Sequence, residues 1–330
     1  MYKLTIAVAT YNRANMLTQM LDSILQQTYT DFYVIIYDNC SEDNTTEVVK
    51  PYLSDERFSY HRHSAIVHNF NYALDNCKTD YLLIVHDDDI MLPDMVKEEI
   101  SIMDSYNDVS IVCTNMNVMS ADGKKIIRPY LNNIFVNKNC FINSREYINI
   151  LIKKTNIIAC PTVMFRMSVM RAYDFKFRSD IGGGADLFLW LEINQINYKF
   201  YYINKELYNY RIHESQDSAL TPFLMSLLRK PVYFLLVKHA YSKYIVKKWL
   251  HLVDYNFLEE LDKQKNKRAA FYKIKESILF KDNKDFFFLF RIFDILYGSP
   301  FIKVYKLVRK SAKKIVPKNI YRYLKKTILQ

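Results

Sequence analysis

The sequence predicts an α/β protein: a doubly wound, mostly parallel sheet followed by a helical C-terminal extension. Three observations carry this expectation. Short β-branched and aromatic runs recur through the first 120 residues. Amphipathic helical stretches separate several of them, and strands that alternate with helices build parallel sheets. From about residue 220 the strand signals fade, and Lys-, Phe- and Tyr-rich helical patterns take over.

Five runs read as strands: LTIAVAT (4–10), YVIIYD (33–38), FSYHRH (58–63), YLLIVH (81–86) and VSIVCTN (109–115). Within 15–27, Leu17, Met20, Leu21, Ile24 and Leu25 fall on one face of a helix. Residues 43–53 and 66–77 fit helices as well, and Asp94 opens another after Pro93 that runs to about Met103. Ligands of such sheets bind beyond the carboxyl ends of the strands. Asp38 ends the second run and residues 86–89 end the fourth, so these groups are expected at one edge. Beyond 120 the pattern is less regular. SADGK (120–124) is a turn, and GGGAD (182–186) gathers three of the five glycines into a mobile or tightly turned loop. LFLWLEI (187–193) suits the start of a buried helix.

Half of the 330 residues are hydrophobic and 15% are aromatic, which excludes disorder, collagen and a disulfide scaffold. The five cysteines, Cys40, Cys77, Cys113, Cys140 and Cys160, form no CxxC pair. Neither a disulfide framework nor a zinc site is signalled, and reduced thiols in the cytoplasm are expected. MYKLTIAVATYNR has no signal-peptide pattern. No stretch reaches the ~18 apolar residues of a membrane span; FFFLFRIFDILY (286–297) is broken by Arg291 and Asp294.

Charge divides the chain. Residues 1–219 carry 21 Lys and Arg against 27 Asp and Glu, whereas 220–330 carry 25 against 8. A basic third of this kind suits a polyanion, either nucleic acid or an anionic membrane surface. No RNA- or DNA-binding signature accompanies it, so no specific nucleic acid is expected. Within 301–316, Phe301, Val304, Tyr305, Val308, Ala312, Ile315 and Val316 make an apolar stripe beside Lys and Arg. That pattern fits a basic amphipathic helix on an anionic leaflet. A helical subdomain with a solvated Lys-rich face is the plainer alternative.

The most telling stretch is LLIVHDDDIMLP (82–93). Three acids at the end of a buried strand repel one another, and a hard divalent cation, Mg²⁺ or Mn²⁺, would offset that repulsion. In an extended segment Asp87 and Asp89 point one way and Asp88 the other, so a pair faces the ligand. The competing reading is a helix N-terminus that these acids cap.

Five stretches occur in order: VATYNRANML (8–17), IIYDNCSEDNT (35–45), NFNYALDNCKTDYLLIVHDDDIMLP (69–93), GGGADLFLWLEI (182–193) and YNYRIHESQDS (208–218). Together they resemble the family 2 glycosyltransferases of the GT-A fold, of the bacterial surface-polysaccharide type, over roughly residues 1–218. The resemblance implies a Rossmann-like catalytic domain over 1–219, with nucleotide-sugar binding in 1–115 and the acceptor and catalytic part in 116–219. It implies that Thr10, Tyr11 and Arg13 line the nucleotide pocket and that Asp38 accepts a hydrogen bond from the base, usually uracil. Asn71 falls near the nucleotide sugar, with Asn69 as a substitute. Asp87, Asp88 and Asp89 become the metal and diphosphate site, with Asp87 and Asp89 bracketing it and Asp88 as the alternative metal ligand. The common family form is D-x-D-D, and here His86 stands for its first acid.

The same resemblance makes Asp186 the catalytic base, with Ala185 where the family often has Glu. Arg211 would meet the donor diphosphate, and His213 the metal or the diphosphate. The implied reaction is an inverting, metal-dependent single displacement that moves a sugar from a nucleotide-sugar donor, expected to be a UDP-sugar, to a hydroxyl of a glycan or lipid-linked oligosaccharide. The expected cofactor is Mn²⁺ or Mg²⁺, and the expected location is the cytoplasm or the cytoplasmic face of the inner membrane, reached through 301–330. Two alternatives follow from departures: a catalytically impaired sugar-nucleotide-binding protein, from His86 and Ala185, and a nucleic-acid binder, from the basic tail. A nucleotidyltransferase would bring a glycine-rich basic loop, which TYNRANM lacks, and a glycoside hydrolase would need no nucleotide.

Overall fold

The computed structural model describes residues 2–63, 69–130, 138–143, 146–147, 150, 156–177 and 185–213. The expected glycine loop at 182–184, the helical region 220–330 and its membrane-facing part 301–330 lie outside these residues. The described strands are β1 (Leu4–Thr10), β2 (Phe32–Asp38), β3 (Phe58–Arg62), β4 (Tyr81–His86), β5 (Ile90–Met91), β6 (Val109–Met119), β7 (Ile126–Pro129), β8 (Cys140–Ile142), β9 (Val163–Arg166) and β10 (Lys199–Arg211). The described helices are α1 (Ala14–Leu25), α2 (Thr45–Val49), α3 (Asn69–Asn76), α4 (Met95–Ser105), α5 (Met167–Ala172) and α6 (Ala185–Ile193).

β1 and β4 are apolar and buried on both faces, as central strands of a parallel sheet must be. The sheet runs β3-β2-β1-β4-β9-β6-β10-β5. The pairs β3–β2, β2–β1 and β1–β4 are parallel. β9 enters antiparallel to both β4 and β6, and β10 then runs parallel to β6. The six long strands therefore share one direction, and the short ones oppose it. Strand order reverses between β1 and β4, because the chain moves outward through β2 and β3 before returning. This is the switch point where α/β sheets bind ligands, at the carboxyl ends of the strands. The register sets Ala9 opposite His86 and Thr10 opposite Asp38, so the chemically interesting ends are adjacent.

α1 lays Leu17, Met20, Leu21 and Ile24 on the sheet, whereas Leu25, expected on the same face, is 43% exposed in the last turn. The second expected helix is short: α2 gives way to a 3₁₀ turn, Lys50–Ser54, with Pro51 in its first turn. Asp94 does sit at the N-cap of α4, yet its carboxylate accepts from Thr28 Oγ1 at 2.8 Å rather than from its own helix. The strand expected at 109–115 extends to Met119. β10 has no counterpart among the expected strands; three register shifts against β6 break its alternation. All five cysteines are free thiols. No helix among the described residues is long and apolar enough to cross a membrane.

One core position is chemically odd. Met95, Val96, Glu99, Ile100 and Met103 form the buried stripe of α4. Glu99 is fully buried, and neither carboxylate oxygen has a hydrogen-bond partner. Burial pushes its carboxyl well above the ordinary glutamate value. The folded state thus holds this proton more tightly than the unfolded chain, and its stability contribution declines as pH rises above the ordinary glutamate range. Glu99→Met is expected to raise stability at neutral pH by about 1–3 kcal/mol, since it removes an unpaired buried polar group. Glu99→Gln should flatten the decline between about pH 5 and 8, the window above the free-glutamate value. Urea denaturation across that window checks both.

Candidate active site

The edge is built first by two stitched turns. Asn12 and Cys40, just past β1 and β2, have φ of 52° and 59°, so both turns pass through the left-handed region. The Asn12 backbone N–H donates to Ser41 Oγ at 2.9 Å, and its side-chain oxygen accepts from the Glu42 N–H at 2.7 Å. Asp43 accepts from the Ala14 N–H at 3.0 Å and from the Thr45 N–H at 3.0 Å. It thereby satisfies free N–H groups at the starts of α1 and α2 together. This leaves Tyr11 51% exposed above the edge, while Arg13 turns toward the acids.

Residues 87–89 form a turn rather than an extended segment, so the expected alternation of side chains does not apply. Each carboxylate has its own surroundings. Asp87 accepts from Arg13 Nη1 at 3.0 Å and from the Tyr11 N–H at 3.3 Å. Asp88 lies 3.2 Å from Arg13 Nη1 and 2.9 Å from His213 Nε2. Asp89 accepts from the Arg211 N–H at 2.8 Å through Oδ1, whereas Oδ2 is buried without a hydrogen-bond partner, 3.8 Å from His86 Nδ1. Burial pushes the Asp87 carboxyl up to about 6, against the pull of Arg13. Burial and the neighbouring Asp88 charge push Asp89 well above its ordinary value. Burial opposes ionisation at Asp88 too, yet His86, Arg13 and His213 together hold it below the ordinary range.

His86, Asp88 and Asp89 each offer one ligand atom, all within 4.8 Å of one another. A buried carboxylate oxygen without a donor, set beside a second carboxylate and an imidazole, fits a divalent cation. Asp87 stands outside this group, occupied by Arg13. Asp186 lies in the first turn of α6, and its charge is, after burial, what pushes the Cys160 thiol up. Cys160 opens the 3₁₀ turn before β9, and β9 pairs Met164 with Leu83, so this turn sits alongside the carboxyl end of β4.

Other expected site residues have different surroundings. The Arg211 guanidinium, expected at the donor diphosphate, is buried: Nε donates to the Asp88 carbonyl at 2.5 Å, Nη1 to the Ala121 carbonyl at 3.0 Å and Nη2 to Gln19 Oε1 at 2.8 Å. It fastens the acidic turn from behind. Asp38 is fully buried; one oxygen accepts from the Ser41 N–H at 2.8 Å and from Ser41 Oγ, and the other from the Tyr60 hydroxyl. The Asn71 amide exchanges two 2.7 Å bonds with the Phe177 backbone. Thr10 is buried at the β1 end, and its carbonyl accepts from the Asn39 N–H at 3.0 Å. The Asn69 side chain lies outside the described residues. Sequence reasoning missed Phe70, stacked on the His86 ring at 5.7 Å and 8°, and Tyr208, whose hydroxyl faces the His86 N–H and the Asp89 carboxylate. Neither residue has a chemical signature that would mark it in a sequence this rich in aromatics.

The family model described as glycosyl transferase family 2 matches residues 5–181. Chondroitin synthase of Escherichia coli is 27% identical over 254 residues, which are 74% of this chain and 33% of that protein. The chain thus spans about a third of the length of that relative. Among solved structures, S. aureus TarS 1–349 in complex with UDP-GlcNAc superposes with a TM-score of 0.59 at 16% identity, over 83% of this chain and 76% of that one. The mannosyltransferase PcManGT from Pyrobaculum calidifontis, in complex with GDP-Man and Mn²⁺, gives 0.52 at 16% identity, over 92% and 82%. At these identities the likeness is one of fold.

Gly123 tests the support behind the acids. Its φ is 72°, and a Cβ there would lie 2.5 Å from Arg211 Nη1 and 3.0 Å from Gln19 Oε1. Gly123→Ala therefore strains the backbone and displaces the guanidinium. It should cost about 1–3 kcal/mol, and thermal denaturation beside wild type reads the loss; an unchanged Tm would count against the latch.

Proposed function

The chain belongs to glycosyl transferase family 2 and has the GT-A fold, and from that premise we propose that it moves a sugar from a nucleotide-sugar donor to an acceptor hydroxyl. The observation that carries this reading is the convergence of Arg13, the three carboxylates, His86 and His213 at the switch point of the sheet. The acceptor we propose is a glycan or lipid-linked glycan in polysaccharide assembly, a reading supported by the similarity to chondroitin synthase. A UDP-sugar is the proposed donor, supported by the fold shared with TarS, which was crystallised with UDP-GlcNAc.

In this reading Asp88, Asp89 and His86 would hold a divalent ion, Mn²⁺ or Mg²⁺, which would supply positive charge beside the departing nucleoside diphosphate. Arg13 adds a second cation at the same place, able to pair phosphate oxygens in a fork. Tyr11 offers an exposed ring where a base can stack. Asp38 shapes the base pocket at one remove, by fixing Ser41 and Tyr60. Asp186 takes the proton of the acceptor hydroxyl. The new glycosidic C–O bond forms on one face of the anomeric carbon as the bond to the diphosphate breaks on the other, and configuration inverts.

Asp186→Asn is expected to lower transfer by about 10²–10⁴ while leaving donor binding unchanged. Product formation and donor-induced thermal stabilisation read the two separately, and normal turnover would refute the assignment. The donor itself should emerge from a screen of nucleotide sugars, because a ligand that binds only the native state raises its apparent stability. The basic stretch 301–330 is proposed to hold the enzyme at an anionic membrane surface on the cytoplasmic side. Deleting it should abolish sedimentation with anionic liposomes; unchanged sedimentation would remove the idea.

A further inference from the structure

We propose that Asn71 is a positioning residue for Asp186, and that α3 is the brace that sets the base-bearing helix α6 against the end of β4. The inference rests on the reading of Asp186 as the base and names what holds it. The Asn71 amide pairs with the Phe177 backbone as a peptide group would. Its Nδ2 donates to the Phe177 carbonyl and its Oδ1 accepts from the Phe177 N–H, each at 2.7 Å. Two further contacts repeat the tie along the helix. Lys176 pairs with Asp75, and Arg171 Nη1 donates to the Cys77 carbonyl at 3.2 Å. Residues 71 to 77 are thus fastened at three points to residues 171 to 177, far away in sequence.

Packing carries the tie onward. Phe177 is buried, and its ring meets the Trp190 indole edge-on at 6.3 Å and 79°. Trp190 stands four residues after Asp186 and so on the same side of α6. Phe177 also meets Phe70 at 5.2 Å, and Phe70 stacks on the His86 ring at 5.7 Å and 8°. One line of packed side chains therefore runs from the end of β4 through α3 to the helix that carries Asp186. The amide bonds fix Phe177 within that line, and Phe177 holds Trp190. Three glycines precede Ala185 in sequence and bring no side chain to anchor the start of α6, so the packing of Trp190 supplies an anchor. A general base acts only within hydrogen-bond reach of its proton, and a displacement of about 1 Å costs about 10²-fold in rate. The resemblance sets Asn71 near the nucleotide sugar instead, and the two roles separate in kinetics.

The test uses the full chain. Hydrogen exchange of the α6 amides is compared in wild type, Asn71→Ala and Asn71→Asp, without substrate. Asn71→Ala removes both bonds and should speed exchange there about tenfold, with β1 and β2 unchanged. Turnover is then read in MnCl₂ with a panel of UDP- and GDP-sugars, as released nucleoside diphosphate, with water in place of the acceptor. Asn71→Ala should lower kcat by about 10- to 100-fold while the donor KM and donor-induced stabilisation hold. Asn71→Asp keeps the bond from the Phe177 N–H and should recover part of the rate. In an Asp186→Asn background, Asn71→Ala should lower the rate no further. The proposal is overturned by unchanged exchange in α6, by an unchanged kcat, by a raised donor KM at unchanged kcat, or by an equal loss with and without Asp186. Should Asn71→Ala not fold, Asn71→Asp carries each comparison. Normal turnover in Asp186→Asn alone refutes the base instead. Should no nucleotide sugar bind or turn over, the transferase reading fails, and the exchange result still decides the brace.

Discussion

Three adjacent carboxylates, buried at the end of a central strand, cannot all ionise without counter-charge, and much of the surrounding structure answers that constraint. Arg13 bridges Asp87 and Asp88, and His213 takes a second place on Asp88. Asp89 receives the Arg211 N–H on one oxygen, and its other oxygen is buried 3.8 Å from His86 Nδ1. Burial would drive such a cluster toward its protonated forms, and the partners divide the outcome. Asp88 is held ionised, while Asp87 and Asp89 are pushed up.

The turn is held from behind by a single helix and its continuation. Gln19 and Ser23 lie four residues apart on one side of α1, and Gln27 follows just past its C-terminal end. Gln19 accepts from the Arg211 guanidinium, and Ser23 Oγ accepts from the Met91 N–H at 3.1 Å. Gln27 donates to the Leu92 carbonyl at 2.8 Å and accepts from the Val96 N–H at 3.1 Å. This polar row runs beside the apolar face that anchors α1 to the sheet. The same helix therefore binds the core with one stripe and fixes the path from the acids to α4 with the next. Side chains that position a functional turn are best carried on such a rigid element.

The parallel half of the sheet was legible because its strands bury both faces: runs such as LTIAVAT and YLLIVH admit few other readings. β10 was not legible, since KFYYINKELYNYR mixes aromatic, charged and amide residues and slips register three times. Within the site, residue types announced the chemistry but not its direction. Arg211 reads as a phosphate ligand in a motif, yet its partners come from Gln19, Ala121 and Asp88, which are distant in sequence. His86 reads as a missing acid, yet it stands among the potential ligands. Asp87 and Asp89 read as a pair on one side of a strand, and the turn at 87–89 removes the premise.

Glu99 shows why burial of an acid does not by itself mark a site. It is as deeply buried as Asp89, and burial pushes both carboxyls up. The two differ in what surrounds them. Desolvation is the only cause acting on Glu99, amid apolar residues of α4 and its neighbours. Around Asp89 stand a second carboxylate, an imidazole, a tyrosine hydroxyl and a backbone N–H, arranged at the switch point of the sheet. An isolated acid at neutral pH relieves its cost by keeping its proton. A cluster that already pairs a carboxylate with the Arg13 guanidinium can relieve it by accepting a metal ion, and that second option requires the convergent geometry that Glu99 lacks.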